Sequence, residues 1–350
     1  MSVVDLFQQI ASNDFGFFQQ VKTVAHVMTK EPVSLTLDDT FESAEKKFRT
    51  QRILHAPVVN PEDNSVVGIV SDRDLLRHRP PLLGKAAEGE ADHRALRDGV
   101  ARFMTRNPIW CSADSSPVHA MTLMLNHRID SVLVSADGKT LDGIVTPLNF
   151  IQTLLLYHRV CTRDYDLRRL RLVDLDFSNG LPLDEIFSRG AQTVRDVMTK
   201  DVETLAEDEP LHAAMQLMQE KQIRHVPVVN KDGKMLGMLS DREILKQLPV
   251  PENRSEDSGS AFREVLFETD DKAARHLRVD AVMNKDANAV SPDMLLTDAM
   301  AILESKHIGG VPVVDGGKLI GILTCSDILR VFRVVMQLGL LADQQSADQA

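Results

Sequence analysis

Four stretches of this chain open alike and four close alike, at nearly constant separation. The openings are Val27-Met28-Thr29-Lys30, Phe103-Met104-Thr105-Arg106, Val197-Met198-Thr199-Lys200 and Val282-Met283-Asn284-Lys285. The closings are Gly68-Ile69-Val70-Ser71, Gly143-Ile144-Val145-Thr146, Gly237-Met238-Leu239-Ser240 and Gly321-Ile322-Leu323-Thr324. Met and Gly lie 40, 39, 39 and 38 residues apart. A fixed period of this kind means one supersecondary unit repeated. A unit of ~60 residues buries a core poorly by itself, so the copies are expected to pair.

Between these marks each copy carries the same pattern. Phe41, Ala44, Phe48 and Ile53 fall near helical spacing. Ala56-Pro57-Val58-Val59 and Val66 to Val70 are short apolar runs separated by a polar turn, which predicts two strands. Ser71-Asp72-Arg73-Asp74 then opens a second helix, with Ser71 or Asp72 as N-cap. The unit is therefore strand, helix, strand, strand, helix. The fold class is α/β, in the sense of α+β repeats that each hold a small sheet and two helices.

A longer period is superimposed. Thr23-Val24 before Met28 is matched by Thr193-Val194 before Met198. Two tandem pairs follow from this. The expected division is an N-terminal helical segment (1–22), a first repeat (23–80), a polar insert (81–97) and a second repeat (98–160). An inter-module linker (161–189) and a third repeat (190–248) come next. An acidic disordered linker (249–275), a fourth repeat (276–338) and a polar tail (339–350) complete it. Leu148 to Val160 reads as a helix closing the first pair. Arg159 to Arg171 holds five arginines and reads as a solvated helix face or a partner-docking surface.

Charge and composition exclude several classes. The formal net charge is −11 and aromatics make up 5 %, which argues against nucleic-acid binding, where a basic stripe is expected. No apolar run reaches the ~18 residues of a membrane span, and the start lacks the basic residues of a signal peptide. Cys111, Cys161 and Cys325 are isolated, as expected of reduced thiols in a cytoplasmic protein. No Gly-x-x-x-x-Gly-Lys, His-Glu-x-x-His or Gly-x-Ser-x-Gly is present, and the repeats leave no room for a catalytic domain, so no enzyme is expected.

The Val-Met-Thr openings, the Pro-Val-Val strands at Pro57, Pro227 and Pro312, and the endings Gly68–Asp74 and Gly321–Asp327 resemble the cystathionine-β-synthase (CBS) domain. The resemblance implies that repeats pair through their sheets into Bateman modules. Two modules then stack as a disc, within one chain or as a homodimer. It also implies that clefts between paired repeats often bind adenine nucleotides, AMP, ADP or ATP with or without Mg²⁺, and sometimes S-adenosylmethionine. Such a cleft takes a ribose-binding acid from one repeat and the Val-Met-Thr segment from its partner.

The acid position reads Asp74, Asn149, Glu243 and Asp327. Asp74 is expected to face Thr105, and Asp327 to face Thr199, giving one well-formed cleft per module. Asn149 opposite Thr29, and Glu243 opposite Asn284, depart from the pattern and read as degraded. Ser71, Ser240 and Thr324 start the helices that would meet phosphate, with Arg73 and Arg242 beside the acid. A basic position ahead of the Pro-Val-Val strand is read as His55, Asp130, His225 and Gly309, and Gly309-Gly310 allows close backbone approach. Ser71 to Asp74 and Thr324 to Asp327 are equally helix-capping patterns. The expected function is regulatory, an energy-sensing nucleotide binder acting on a partner protein. The alternative is a ligand-free CBS interaction scaffold.

Overall fold

The computed structural model describes residues 21–80, 83, 89–161, 193–247 and 271–347. The first repeat places β1 (Thr29–Lys30), β2 (Leu35–Thr36), α1 (Phe41–Gln51), β3 (His55–Val59), β4 (Val66–Ser71) and α2 (Asp72–His78) in the expected order. The second has β5 (Trp110–Cys111), α3 (Pro117–His127), β6 (Val132–Val134), β7 (Gly143–Val145) and α4 (Pro147–Cys161). The third has β8 (Leu205–Ala206), α5 (Leu211–Lys221), β9 (His225–Val229), β10 (Met235–Ser240) and α6 (Asp241–Gln247). The fourth has α7 (Leu296–Lys306), β11 (Gly310–Asp315), β12 (Lys318–Thr324) and α8 (Cys325–Ala347).

The first helix of every repeat stops in the same way. Arg52, Arg128, Gln222 and His307 all take the left-handed conformation, with φ of 53°, 54°, 56° and 52°. Each donates its backbone N–H back into its helix, as a left-handed cap does. The chain then enters a strand that pairs antiparallel with the next one, as His55 does with Ser71 and Val58 with Gly68. Where a leading strand forms, it runs parallel to that hairpin, as Leu35 does beside Val58.

The Val-Met-Thr segments leave their own repeats. Thr29 pairs with Ile144, Thr105 with Ile69, Thr199 with Ile322 and Asn284 with Met238. These crossings explain why each closing motif begins with glycine. A Cβ at Gly68 would lie 2.7 Å from the Met104 sulfur and 2.9 Å from the Thr105 carbonyl oxygen. At Gly321 the distances to Met198 and Thr199 would both be 2.8 Å. Four buried cores result, each completed by its partner. Val100 and Phe103 enter the first core, and Val24 and Val27 the second. Val279, Val282 and Met283 enter the third, and Val194, Val197 and Met198 the fourth.

The two modules stack within one chain, first repeat against third and second against fourth. The second–fourth face is mainly apolar, with a hydrogen bond from Gln152 Nε2 to Glu304 Oε1 at 3.3 Å. Ile151 and Leu155 of α4 join the fourth core, and Leu329, Phe332 and Met336 of α8 join the second. Phe150 and Phe332 meet edge to face with ring centroids 6.0 Å apart. The first–third face, between α2 and α6, is ionic.

Three segments differ from the sequence expectation. The insert at 81–97 contains a helix, Glu90–Ala95, and the carbonyls of Leu96 and Asp98 cap α1 by accepting from Glu42 and Phe41. The stretch 249–275, read as disordered, ends in the helix Asp271–His276, whose Ala274 is fully buried in the third core. The tail from 339 continues α8 to Ala347. Residues 1–20, 81–82, 84–88, 162–192, 248–270 and 348–350 lie outside the described residues, and with them nearly all of the inter-module linker (161–189) and most of the Arg159 to Arg171 stretch. Among the described residues no helix is long and apolar enough to cross a membrane.

Candidate functional site

The acid position serves the backbone first. In each repeat its side chain accepts from the N–H and hydroxyl of the residue that precedes the second helix. Asp74 Oδ2 accepts from Ser71 N and Oγ at 2.8 and 2.6 Å, and Asp327 Oδ2 from Thr324 at 2.8 and 2.5 Å. Asn149 Oδ1 binds Thr146 twice at 2.8 Å, and Glu243 Oε2 binds Ser240 N at 3.2 Å and its hydroxyl. All four are capping contacts, so ligand chemistry rests on the remaining oxygen.

That oxygen differs between repeats. Asp327 Oδ1 accepts from Thr199 Oγ1 and Arg330 Nη1, both at 3.0 Å, so four donors already engage this carboxylate. Asp74 Oδ1 faces Arg77 Nη1 at 3.4 Å. Asn149 turns its amide to Thr29 Oγ1 at 3.0 Å. Glu243 Oε1 has Lys246 at 3.5 Å. The expected pairing of Asp327 with Thr199 is thus present, but it uses up the acid.

The cations expected at phosphate are committed elsewhere. Arg73 Nε donates to Asp241 Oδ2 at 2.6 Å and its Nη1 to Asp130 Oδ2 at 3.0 Å. Arg242 Nε donates to Asp72 Oδ2 at 2.5 Å. Each Asp-Arg pair at a helix start therefore grips its counterpart in the other module. Arg224 completes the cluster, binding the Asp130 carboxylate and the Arg128 carbonyl. Burial opposes charge on Asp130, yet Arg224 and Arg73 overcome it and hold the carboxyl below the usual carboxylate range. Asp130 is therefore a structural anion paired with Arg73 and Arg224.

His55 and His225 are not cations either. Burial lowers the His55 imidazole against the pull of Asp130 and pushes His225 down to about 4 against that of Asp241. Both rings are neutral at pH 7 and offer phosphate one N–H at most. The alignment of this position also changes. The N–H groups of Asp72, Asp241 and Cys325 donate to the carbonyls of Leu54, Arg224 and Gly309, which makes those three equivalent. Counted from the left-handed caps, Asp130 belongs with them. His55 and His225 are matched instead by Ser131 and Gly310.

A cavity of about 610 Å³ lies between the third and fourth repeats and is roofed by the first. That volume suits a small ligand. It opens at the Glu243–Asn284 cleft, which the sequence pattern reads as degraded. Ser240, Arg242, Glu243 and His225 line one side, with Gly309 and Gly310 opposite. Gly309 keeps the space open, because a Cβ there would sit 2.9 Å from the His225 ring. Met238, Ile308 and Pro312 supply apolar wall. Leu54, Arg49 and Arg79 come from the first repeat, and both arginines are exposed and make no ion pair among the described residues. Repeat-by-repeat reading misses them, because nothing inside a repeat signals what the opposite module brings. Ser71, Asp74 and Thr105 belong to a different cleft, between the first and second repeats. Thr199, Thr324 and Asp327 belong to a third.

Burial pushes the Cys111 thiol up to about 11 and that of Cys325 up to about 12, which leaves both poor nucleophiles. No three His, Cys, Asp or Glu side chains are grouped to hold a metal ion among the described residues.

Comparison with known proteins agrees with this architecture. The family model of the CBS domain matches residues 24–80, 100–155, 194–250 and 279–334. Uncharacterized protein MJ1426 of Methanocaldococcus jannaschii is 32% identical over 149 residues, covering 39% of this chain and 88% of that protein. A homoserine O-acetyltransferase of Methanohalobium evestigatum is 27% identical over 139 residues, covering 39% of this chain but 24% of the enzyme. The solved structure of protein MJ1225 from Methanocaldococcus jannaschii, proposed as an archaeal homologue of g-AMPK, superposes with a TM-score of 0.57 at 20% identity. The superposition covers 89% of this chain and 99% of that one.

Proposed function

Because the chain belongs to the CBS domain family, we propose that it is a regulatory protein whose cleft between the third and fourth repeats binds an adenine nucleotide. The observation that carries this reading is the 610 Å³ cavity, with a helix-start carboxylate on one wall and the exposed arginines Arg49 and Arg79 on the other. Glu243 Oε1 would accept from ribose hydroxyls, the apolar wall at Met238, Ile308 and Pro312 would pack the base, and Arg49, Arg79 and Lys246 would neutralise phosphate. AMP, ADP and ATP all suit this chemistry, ATP with Mg²⁺ carried on its own phosphates.

The cavity draws walls from both modules, so a ligand would favour the docked arrangement and shift its population. That shift is what a regulated partner protein would read, in the cytoplasm, as the state of the adenylate pool. The same reading makes the chain regulatory and not catalytic. Its likeness to the acetyltransferase supports this, since it spans about a quarter of that enzyme.

Thermal unfolding with millimolar AMP, ADP and ATP tests the proposal. A ligand at 100 times its Kd adds about 2.7 kcal/mol. Glu243→Ala is expected to abolish the shift and Asp327→Ala to leave it. No shift with any of the three nucleotides would overturn the reading.

A further inference from the structure

The position shared by Leu54, Asp130, Arg224 and Gly309 differs most where the modules meet. In the open cleft, Leu54 reaches across from the first repeat and Gly309 belongs to the fourth; both line the cavity, as does His307. In the corresponding cleft of the first module, the residue reaching across is Arg224, and those facing it are Asp130 and Arg128. There Arg224 pairs with the Asp130 carboxylate and binds the Arg128 carbonyl. The side chain that leaves one cleft open therefore fills the other.

We propose that Arg224 and Asp130 form a built-in plug that closes the cleft carrying Asp74, so that of these two equivalent clefts only the one at Glu243 takes nucleotide. The inference rests on the nucleotide reading, but it is tested by a difference. Arg224 brings a guanidinium to the place a ligand would occupy, and Asp130 neutralises it. A phosphate arriving there would meet the Asp130 carboxylate and two guanidiniums, Arg224 and Arg73, that are already paired with Asp130 and Asp241. Leucine and glycine at these positions, as in the open cleft, would remove both the occupant and its anchor. Asp74, with Arg77 no closer than 3.4 Å to its Oδ1, would then be available to ribose hydroxyls.

The experiment is isothermal titration of the full chain with AMP and with ATP. The variants are Arg224→Leu with Asp130→Gly, and the same pair with Asp74→Asn added. The double variant is expected to bind one more nucleotide per chain than wild type, and Asp74→Asn is expected to remove that added site alone. If wild type binds none, the functional reading fails, but a gain from none to one would still uphold the plug. An unchanged stoichiometry would overturn it, as would a wild-type site lost on Asp74→Asn. Should the double variant not unfold cooperatively, Arg224→Leu alone keeps the Arg73–Asp130 pair and carries the same expectation, with a weaker added site.

Discussion

Single residues decide how closely the repeats approach. Gly321 lets the Met198-Thr199 segment cross at van der Waals distance, and a Cβ would meet the Thr199 carbonyl at 2.8 Å. Backbone cannot step aside as a flexible side chain can, so Gly321→Ala is expected to cost about 1–3 kcal/mol by urea unfolding. Gly89→Ala, with nothing within 4 Å and no left-handed backbone, is the control expected to be neutral. His225 sets a second expectation. Its folded value near 4 lies below the ~6.5 of an unfolded histidine. The unfolded chain therefore binds more protons between those values. The contribution is complete above pH 6.5 and is lost as pH falls toward 4. Denaturant titrations at pH 7 and pH 4.5 are expected to differ less in His225→Asn than in wild type. The acid position was legible in sequence as a cap. Which acid keeps an oxygen for a ligand was not, because Thr199 and Arg330 reach Asp327 through tertiary contacts.

At the scale of elements, the repeated strands and helices were legible because their apolar periods recur four times. The helices at Glu90–Ala95 and Asp271–His276 were not. They are short, occur once, and are stabilised by contacts with α1 and the third core that a local window does not contain. The same limit hid the exchange between α2 and α6, which binds Arg73 to Asp241 and Arg242 to Asp72. Losing one member of such a buried pair leaves the other uncompensated, which typically costs about 3–5 kcal/mol. Arg73→Met is expected to fall in that range, since it strips a partner from both Asp241 and Asp130. Adding Asp241→Leu should recover part of the loss, because apolar replacement of both members can be nearly neutral. A double-mutant cycle by chemical denaturation measures this, and strict additivity would show that the two side chains do not act as a pair.

For the whole molecule, the two faces of the stack differ in kind, and this determines where ligand energy can go. The second–fourth face buries Ile151, Leu155, Phe150, Phe332 and Met336, and its hydrogen bond from Gln152 Nε2 to Glu304 Oε1, 3.3 Å long, is exposed. The first–third face is held by two carboxylate–guanidinium contacts, Arg73 to Asp241 and Arg242 to Asp72, which Asp130 of the second repeat extends through Arg73 and Arg224, and it adjoins the cavity, whose walls include Asp72 and Arg242 themselves. A ligand that touches Arg49 and Arg79 on one side and Glu243 on the other ties these elements together. It makes no comparable contact with α4 or α8. Local opening reports this difference, since protection from amide exchange varies between cooperative units of one fold. With saturating ATP, exchange is expected to slow in Asp72–His78 and Asp241–Gln247 and to change little in the first two turns of α4. Uniform slowing over all three segments would mean that the ligand stabilises the chain globally and that the ionic face is not its lever. Slowing confined to α4 would place the ligand outside the cavity altogether. Only the first pattern makes the ionic face, and not the apolar one, the part of the molecule that a partner could read.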